Sequence, residues 1–242
     1  MKCELRRLCG VLSIVAALCG SAVAVAPDEP ERRVKEYGWM SIAKWNSMHA
    51  ANLARAKEGD VDILFMGDSI TQGWGDNAAW KQYFAPRRAA NFGIGGDTTR
   101  TVLWRMTNGE LDGIKPKAVV LLIGTNNFGL HNDNPADTLR GVEKVVQTLR
   151  EKLPESKILL MAVFPRDAKP DTDFRKRIKT LNEGLAKLTD GTQIQYLDIG
   201  DKFLEADGAI KKELMPDSLH LSDKGYVIWA EAIVPILAKW SK

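Results

Sequence analysis

The 242-residue chain carries 34 Lys and Arg against 31 Asp and Glu, and its basic residues form no cluster interleaved with aromatics. That balance excludes an electrostatic footprint for nucleic acid. The 3 cysteines are Cys3, Cys9 and Cys19, so the rest of the chain lacks a thiolate nucleophile, a disulfide framework and a cysteine zinc site.

Residues 1–24 read as an export signal. Lys2, Arg6 and Arg7 form a basic start, Val11 to Leu18 an apolar run, and Ala22-Val23-Ala24 a small-x-small cleavage site. The run is too short for a comfortable bilayer span. The expectation is cleavage after Ala24 and an exported protein, periplasmic or secreted, with no stable membrane span in the mature chain.

Residues 25–60 follow as a charged lead-in and a packing helix. Trp39 to Lys57 holds Ile42, Trp45, Met48, Ala51, Leu53 and Ala54 at near-helical spacing. From residue 61 to 242 short apolar runs alternate with helical patterns, which predicts one further domain with no internal repeat. Predicted strands are Ile63–Met66, Arg88–Phe92, Ala118–Ile123, Ile158–Val163 and Ile194–Leu197. Predicted helices lie near Ala79–Tyr83, Thr98–Met106, Ala136–Lys152, Asp173–Leu188 and Ser222–Trp240. Val119 to Ile123 is apolar without alternation, as a parallel strand covered on both faces requires. The alternation predicts an open, doubly wound α/β layer structure with ligands at the carboxyl ends of its strands.

Three segments follow predicted strands directly: Gly67-Asp68-Ser69, Asn91 to Thr98 with Gly93, Gly95 and Gly96, and Gly124-Thr125-Asn126-Asn127. A fourth, Asp217-Ser218-Leu219-His220, leads into the last helix. A serine at a strand end can act as a nucleophile if a base and an oxyanion hole face it. His220 is the candidate base. Asp217 is near enough on the same loop to accept from its Nδ1–H and leave Nε2 for the serine proton. Candidate oxyanion donors are the Ser69 N–H, an N–H from the Gly95-Gly96 pair, and the Asn126 amide; spacing alone does not choose between Gly95 and Gly96. His49 is expected to pack or face solvent, and His131 to sit in a loop, where a metal site with Asp133 has no second ligand pair to support it. A dinucleotide fingerprint at Gly93-x-Gly95-x-x-Thr98 lacks its third glycine and acidic partner. The α/β-hydrolase elbow fails at Thr71, where it requires glycine.

Ser69, Gly96, Asn126 and His220 resemble, in order and context, the four sequence blocks of the SGNH (GDSL-type) hydrolases, from about Val61 onward. Asn91 to Arg100, Val102-Leu103-Trp104-Arg105, Asn108 to Leu111 and Phe164-Pro165-Arg166 are similar to the catalytic subunits of platelet-activating-factor acetylhydrolase of the intracellular type. The resemblance implies a three-layer, flavodoxin-like α/β fold with a central parallel five-stranded sheet. It implies a metal-free and cofactor-free mechanism with Ser69 as nucleophile, His220 as acid/base and Asp217 as its orienter. Ser69, Gly96 and Asn126 would form the oxyanion hole, with Gly96 chosen over Gly95 by the family string.

The chain departs from the pattern in two places: many members have aspartate where Asn127 stands, and the eukaryotic relatives are cytosolic. The expected activity is hydrolysis of carboxylic esters with a short acyl group such as acetyl, on a small-molecule or glycan ester. Trp74, Phe128 and Phe164 are candidate pocket walls, with core packing as the competing reading. A homodimer is a further implication. Rival readings are a non-catalytic glycan- or lipid-binding module on a hydrolase scaffold, and an O-acyltransferase that uses the same acyl-enzyme.

Overall fold

The computed structural model describes residues 25–75 and 77–240. Residues 1–24, where the export reading falls, lie outside the described residues. Five strands, β1 (Ile63–Gly67), β2 (Ala89–Gly93), β3 (Ala118–Leu122), β4 (Lys157–Met161) and β5 (Ile194–Leu197), form one sheet in the order β2-β1-β3-β4-β5. Every pairing is parallel, with Gly67 level with Gly93 and Leu122 at the carboxyl edge.

Eight α-helices complete the described fold: α1 (Ile42–Lys57), α2 (Ser69–Gln72), α3 (Ala78–Tyr83), α4 (Thr99–Arg105), α5 (Thr125–His131), α6 (Pro135–Lys152), α7 (Asp173–Leu185) and α8 (Asp223–Trp240). Along β1, Leu64 and Met66 point to one face, where Val102 of α4, Val142, Val145 and Leu149 of α6 and Leu181 of α7 cover them. Ile63 and Phe65 point to the other and meet Phe84 behind α3 and Trp229, Ile233 and Leu237 of α8. Strand side chains alternate between faces, so covering both explains the unbroken apolar runs. Each buried Leu, Ile or Phe contributes roughly 1.5–3 kcal/mol, and two such layers need no staple.

Local signals set the helix ends. Asn134 accepts from the Asp137 N–H at 2.9 Å ahead of Pro135, and Thr172 caps α7 through the Arg175 N–H. Helix α1 begins at Ile42 rather than Trp39 because Tyr37 and Met40 bridge each other in a tight turn and Ser41 takes the N-cap. Strand β2 begins after Arg88, whose φ of 51° is left-handed and unsuited to a ladder. The short helices α2 and α5 start at Ser69 and Thr125, directly after the ends of β1 and β3.

The carboxyl edge of β1 and β2 needs glycine for a steric reason. A Cβ on Gly93 would lie 2.2 Å from the Gln72 backbone nitrogen, and one on Gly67 2.2 Å from the Leu122 carbonyl oxygen. Helix α2 therefore crosses directly over the strand ends. Asn91 fixes it there by donating from Nδ2 to the Thr71 carbonyl at 3.0 Å, and Tyr226 of α8 donates its hydroxyl to the Ile70 carbonyl at 2.7 Å. No helix among the described residues is long and apolar enough to cross a membrane.

Candidate active site

Ser69 opens α2 at the carboxyl end of β1. Its N-cap, Asp68, accepts the Ile70 N–H on Oδ1 at 2.9 Å, which shapes the turn that presents the serine. The Ser69 hydroxyl lies 2.9 Å from Nε2 of His220, and Nδ1 of His220 lies 2.7 Å from Oδ2 of Asp217. With the Nδ1 proton on the Asp217 side, Nε2 is an acceptor and the serine O–H donates to it.

The loop before α8 holds that geometry. Oδ1 of Asp217 accepts the backbone N–H of His220 at 2.7 Å and of Leu219 at 3.0 Å. Ser218 occupies the left-handed region at φ 63°, and its carbonyl accepts the Asp167 N–H at 3.0 Å. Ser222 closes the loop by donating its N–H to the Leu214 carbonyl and accepting the Gly225 N–H on its hydroxyl oxygen, as an N-cap does. Partial burial works to raise the Asp217 carboxyl, but the His220 side chain and the two backbone donors outweigh it and hold the group below the usual carboxylate range.

The backbone N–H groups of the three candidate positions differ in what they bind. Among the described residues, the N–H groups of Ser69 and Gly96 make no hydrogen bond, whereas Gly95 donates its own to Gln72 Oε1 at 2.7 Å. Gly96 has a φ of 73°, and a Cβ there would lie 2.4 Å from Cη2 of Trp39.

Asn126, on α5, directs Nδ2 to the segments that follow β1 and β2. It donates to the Asp97 carbonyl at 3.0 Å and to Oδ2 of Asp68 at 3.3 Å. Both partners are acceptors, so the NH2 end rather than the amide oxygen is selected. Asp68 is buried; desolvation pushes its carboxyl up to about 7, reinforced by Asp97, while the Ile70 N–H, His220 and Arg166 oppose the rise. Arg166 stacks over the Phe174 ring with 4.2 Å to the centroid, and its Nη1 reaches the Thr125 carbonyl at 3.3 Å. Next door, Asn127 accepts the Thr99 N–H and donates to the Thr99 hydroxyl and to Asp133, a supporting role that needs an amide rather than a carboxylate.

The three aromatic candidates for pocket walls stand elsewhere. Trp74 is fully buried among Phe65, Phe84, Tyr226 and Trp229; Phe164 packs on Phe203 and Trp229; Phe128 is 2% exposed under the Arg177 guanidinium. A side chain with no free surface cannot line a substrate pocket, so core packing is the correct reading for all three. His49 is buried against Trp45 and Trp104 and paired to Glu110 at 2.9 Å. Asp133 is held by Arg100 and Asn127, which leaves His131 without the metal-binding partner considered for it.

Sequence reasoning missed Asp97. It follows Gly96, is fully buried, and accepts from Trp45 Nε1 on Oδ1 at 2.7 Å and from Arg105 Nε on Oδ2 at 2.7 Å. Arg105 in turn pairs with Glu110, and Glu110 with His49 and Asn52 of α1. A buried carboxylate needs such donors, and an acidic residue directly after a Gly-Gly turn was the signal available.

Residues 65–228 match the GDSL-like Lipase/Acylhydrolase family. The platelet-activating factor acetylhydrolase IB subunit alpha2 of Rattus norvegicus is 41% identical over 186 residues, 76% of this chain and 79% of the relative. A GDSL-like lipase structure from Bacteroides thetaiotaomicron superposes with a TM-score of 0.66 at 21% identity, covering 81% of this chain and 98% of that one. An acetyl xylan esterase structure gives a TM-score of 0.59 at 22% identity, covering 72% and 98%. These two likenesses show the fold.

The relatives also correct the localisation. They are subunits of intracellular acetylhydrolases, which contradicts the expectation of an exported, periplasmic or secreted protein. That expectation rested on a basic, apolar and small-residue order within residues 1–24, a compositional pattern that needs few matching positions. By the matched residues and the related acetylhydrolase, the chain belongs to the GDSL-like lipase/acylhydrolase family and is a carboxylic-ester hydrolase.

Proposed function

We propose that the protein is a serine esterase that hydrolyses esters with a short acyl group, acetyl above all, through an acyl-enzyme on Ser69. The observation that carries the reading is the continuous relay from Ser69 Oγ to His220 Nε2 at 2.9 Å and from His220 Nδ1 to Asp217 at 2.7 Å. The family supports ester hydrolysis, and acetyl as the acyl group draws support from relatives named acetylhydrolase and acetyl xylan esterase.

In this mechanism Ser69 Oγ bonds to the ester carbonyl carbon while His220 Nε2 takes the hydroxyl proton. The carbonyl π electrons move onto oxygen, where the Ser69 and Gly96 N–H groups and one Asn126 N–H stabilise them. Collapse of that intermediate breaks the bond to the alcohol oxygen, which receives the proton from His220. A water then repeats the sequence on the acyl-enzyme, and the carboxylic acid leaves with Ser69 restored.

Residues 25–60 and 61–242 are taken as a packing segment and the hydrolase domain, and the homodimer implied by the resemblance is read by light scattering on the eluted protein. The principal test is Ser69→Ala, which is expected to abolish p-nitrophenyl acetate hydrolysis with the melting temperature kept. Activity retained by that variant overturns the reading.

A further inference from the structure

Asp97 connects two of the proposed oxyanion donors. Its peptide follows Gly96, and its carbonyl accepts from Asn126 Nδ2 at 3.0 Å. Whatever fixes Asp97 therefore fixes both donors. Its side chain is clamped by Trp45 Nε1 and Arg105 Nε, each at 2.7 Å. Arg33 reaches the same loop two residues earlier: its Nη2 donates to the Gly95 carbonyl at 2.9 Å and stands 3.7 Å from Asp97 Oδ1.

Trp45 and Arg33 both precede residue 65, where the family match begins. Both are buried, Trp45 completely, and both cross more than fifty positions of sequence to make these bonds. Packing alone does not account for them. Trp45 could fill its place against Met40 and Ile94 as a phenylalanine, with no N–H aimed at a carboxylate. A surface strap could cover the loop without burying a guanidinium under it. Burying a guanidinium is costly, the more so as Nε and Nη1 of Arg33 are buried without a hydrogen-bond partner, and the bond from Nη2 to the Gly95 carbonyl is what that cost secures.

We propose that Trp45 and Arg33, in the segment ahead of the matched family region, are positioning residues for the oxyanion hole, acting through Asp97 and the Gly95 carbonyl. The inference rests on the reading of Gly96 and Asn126 as oxyanion donors. It makes residues 25–60 part of the working site rather than a separable lead-in. Neither residue touches substrate; each sets where a donor stands when negative charge develops.

The test compares full-length wild type with Trp45→Phe, Arg33→Met and Asn126→Ala on p-nitrophenyl acetate. Active sites are counted by complete labelling with a fluorophosphonate, so that kcat is expressed per competent serine. Trp45→Phe removes the donor and keeps a ring. The expected result is a kcat per labelled site lower by about 10- to 100-fold, the scale of a misplaced donor, with KM within twofold. Phenylboronic acid, which forms a tetrahedral anionic adduct on a serine, should bind Trp45→Phe more weakly in proportion to the loss of kcat/KM.

A fall in activity matched by an equal fall in labelled sites, with kcat per site unchanged, shows a merely structural role and overturns the proposal. If Trp45→Phe does not fold, Arg33→Met decides by the same two readouts. Wild-type kcat in Asn126→Ala overturns the oxyanion reading itself; a large loss there with normal kcat in Trp45→Phe and Arg33→Met overturns only the inference.

Discussion

The amide nitrogen of Asn126 stands 3.3 Å from Oδ2 of Asp68, so the residue before the candidate nucleophile also orients a candidate oxyanion donor. Nδ2 has two hydrogens, and its other partner is the Asp97 carbonyl at 3.0 Å. In the proposed mechanism the longer bond is the one that would yield to an oxyanion. Asp68 would then hold the amide by its NH2 end and release one hydrogen as charge develops on the substrate.

Asp68→Asn is expected to make the protein more stable at alkaline pH and less active. Burial raises the Asp68 carboxyl from 3.8 to about 7 in the fold. A carboxyl with a raised folded value stabilises the fold fully below its unfolded value and loses that contribution as pH rises through about 7. Asparagine keeps the cap on the Ile70 N–H and carries no charge to desolvate. Thermal melts at pH 8 should favour the variant by on the order of 2 kcal/mol, and the difference should vanish near pH 4. Its NH2 would face the Asn126 NH2, so kcat should fall about 10-fold. A variant that melts below wild type at pH 8 contradicts the account of Asp68.

Asp217→Asn is expected to lower kcat on the order of 10³-fold with little change in KM, because an amide NH2 facing Nδ1 favours the tautomer that places the proton on Nε2. Hydrogen bonds keep the Asp217 carboxyl below the usual carboxylate range. Its contribution to stability is therefore present above the unfolded value and lost as pH falls through the lower folded one. Steady-state kinetics beside an acid titration of the wild type check both statements.

Gly96→Ala should destabilise the protein by about 1–2 kcal/mol from the left-handed backbone alone, with a further penalty from the 2.4 Å approach to Trp39. Trp39 is exposed and has room to move. Adding Trp39→Ala should remove the Trp39 contact and leave the backbone part together with the 2.8 Å approach to Arg33 Nη2. Denaturant midpoints of the single and double variants measure the two contributions.

What the sequence shows of this protein follows from what patterns can carry. Apolar runs record burial, so the five strands and the long helices α6, α7 and α8 are legible to within a few residues. Asp217 and His220 are close in sequence and sit on one loop, so their pairing is legible too. The core places of Trp74, Phe128 and Phe164 are not, because an aromatic after a strand end suits a pocket wall and a core equally well. The choice of Gly96 over Gly95 depends on where Gln72 places its amide oxygen. The hold of Trp45 on Asp97 spans 52 residues and leaves no periodic trace. Polar contacts of that range are a property of the fold, not of any window of sequence.

The central claim is that Ser69 carries the acyl group. The direct measurement is mass spectrometry of the protein quenched in acid during turnover of p-nitrophenyl acetate, followed by peptide mapping. The account predicts one acetyl group on the peptide containing Ser69, absent from Ser69→Ala and retained in Asp217→Asn, where acylation and deacylation both slow. Turnover with no acetyl on that peptide in either wild type or Asp217→Asn, or acetyl on another residue that turns over at the catalytic rate, contradicts it.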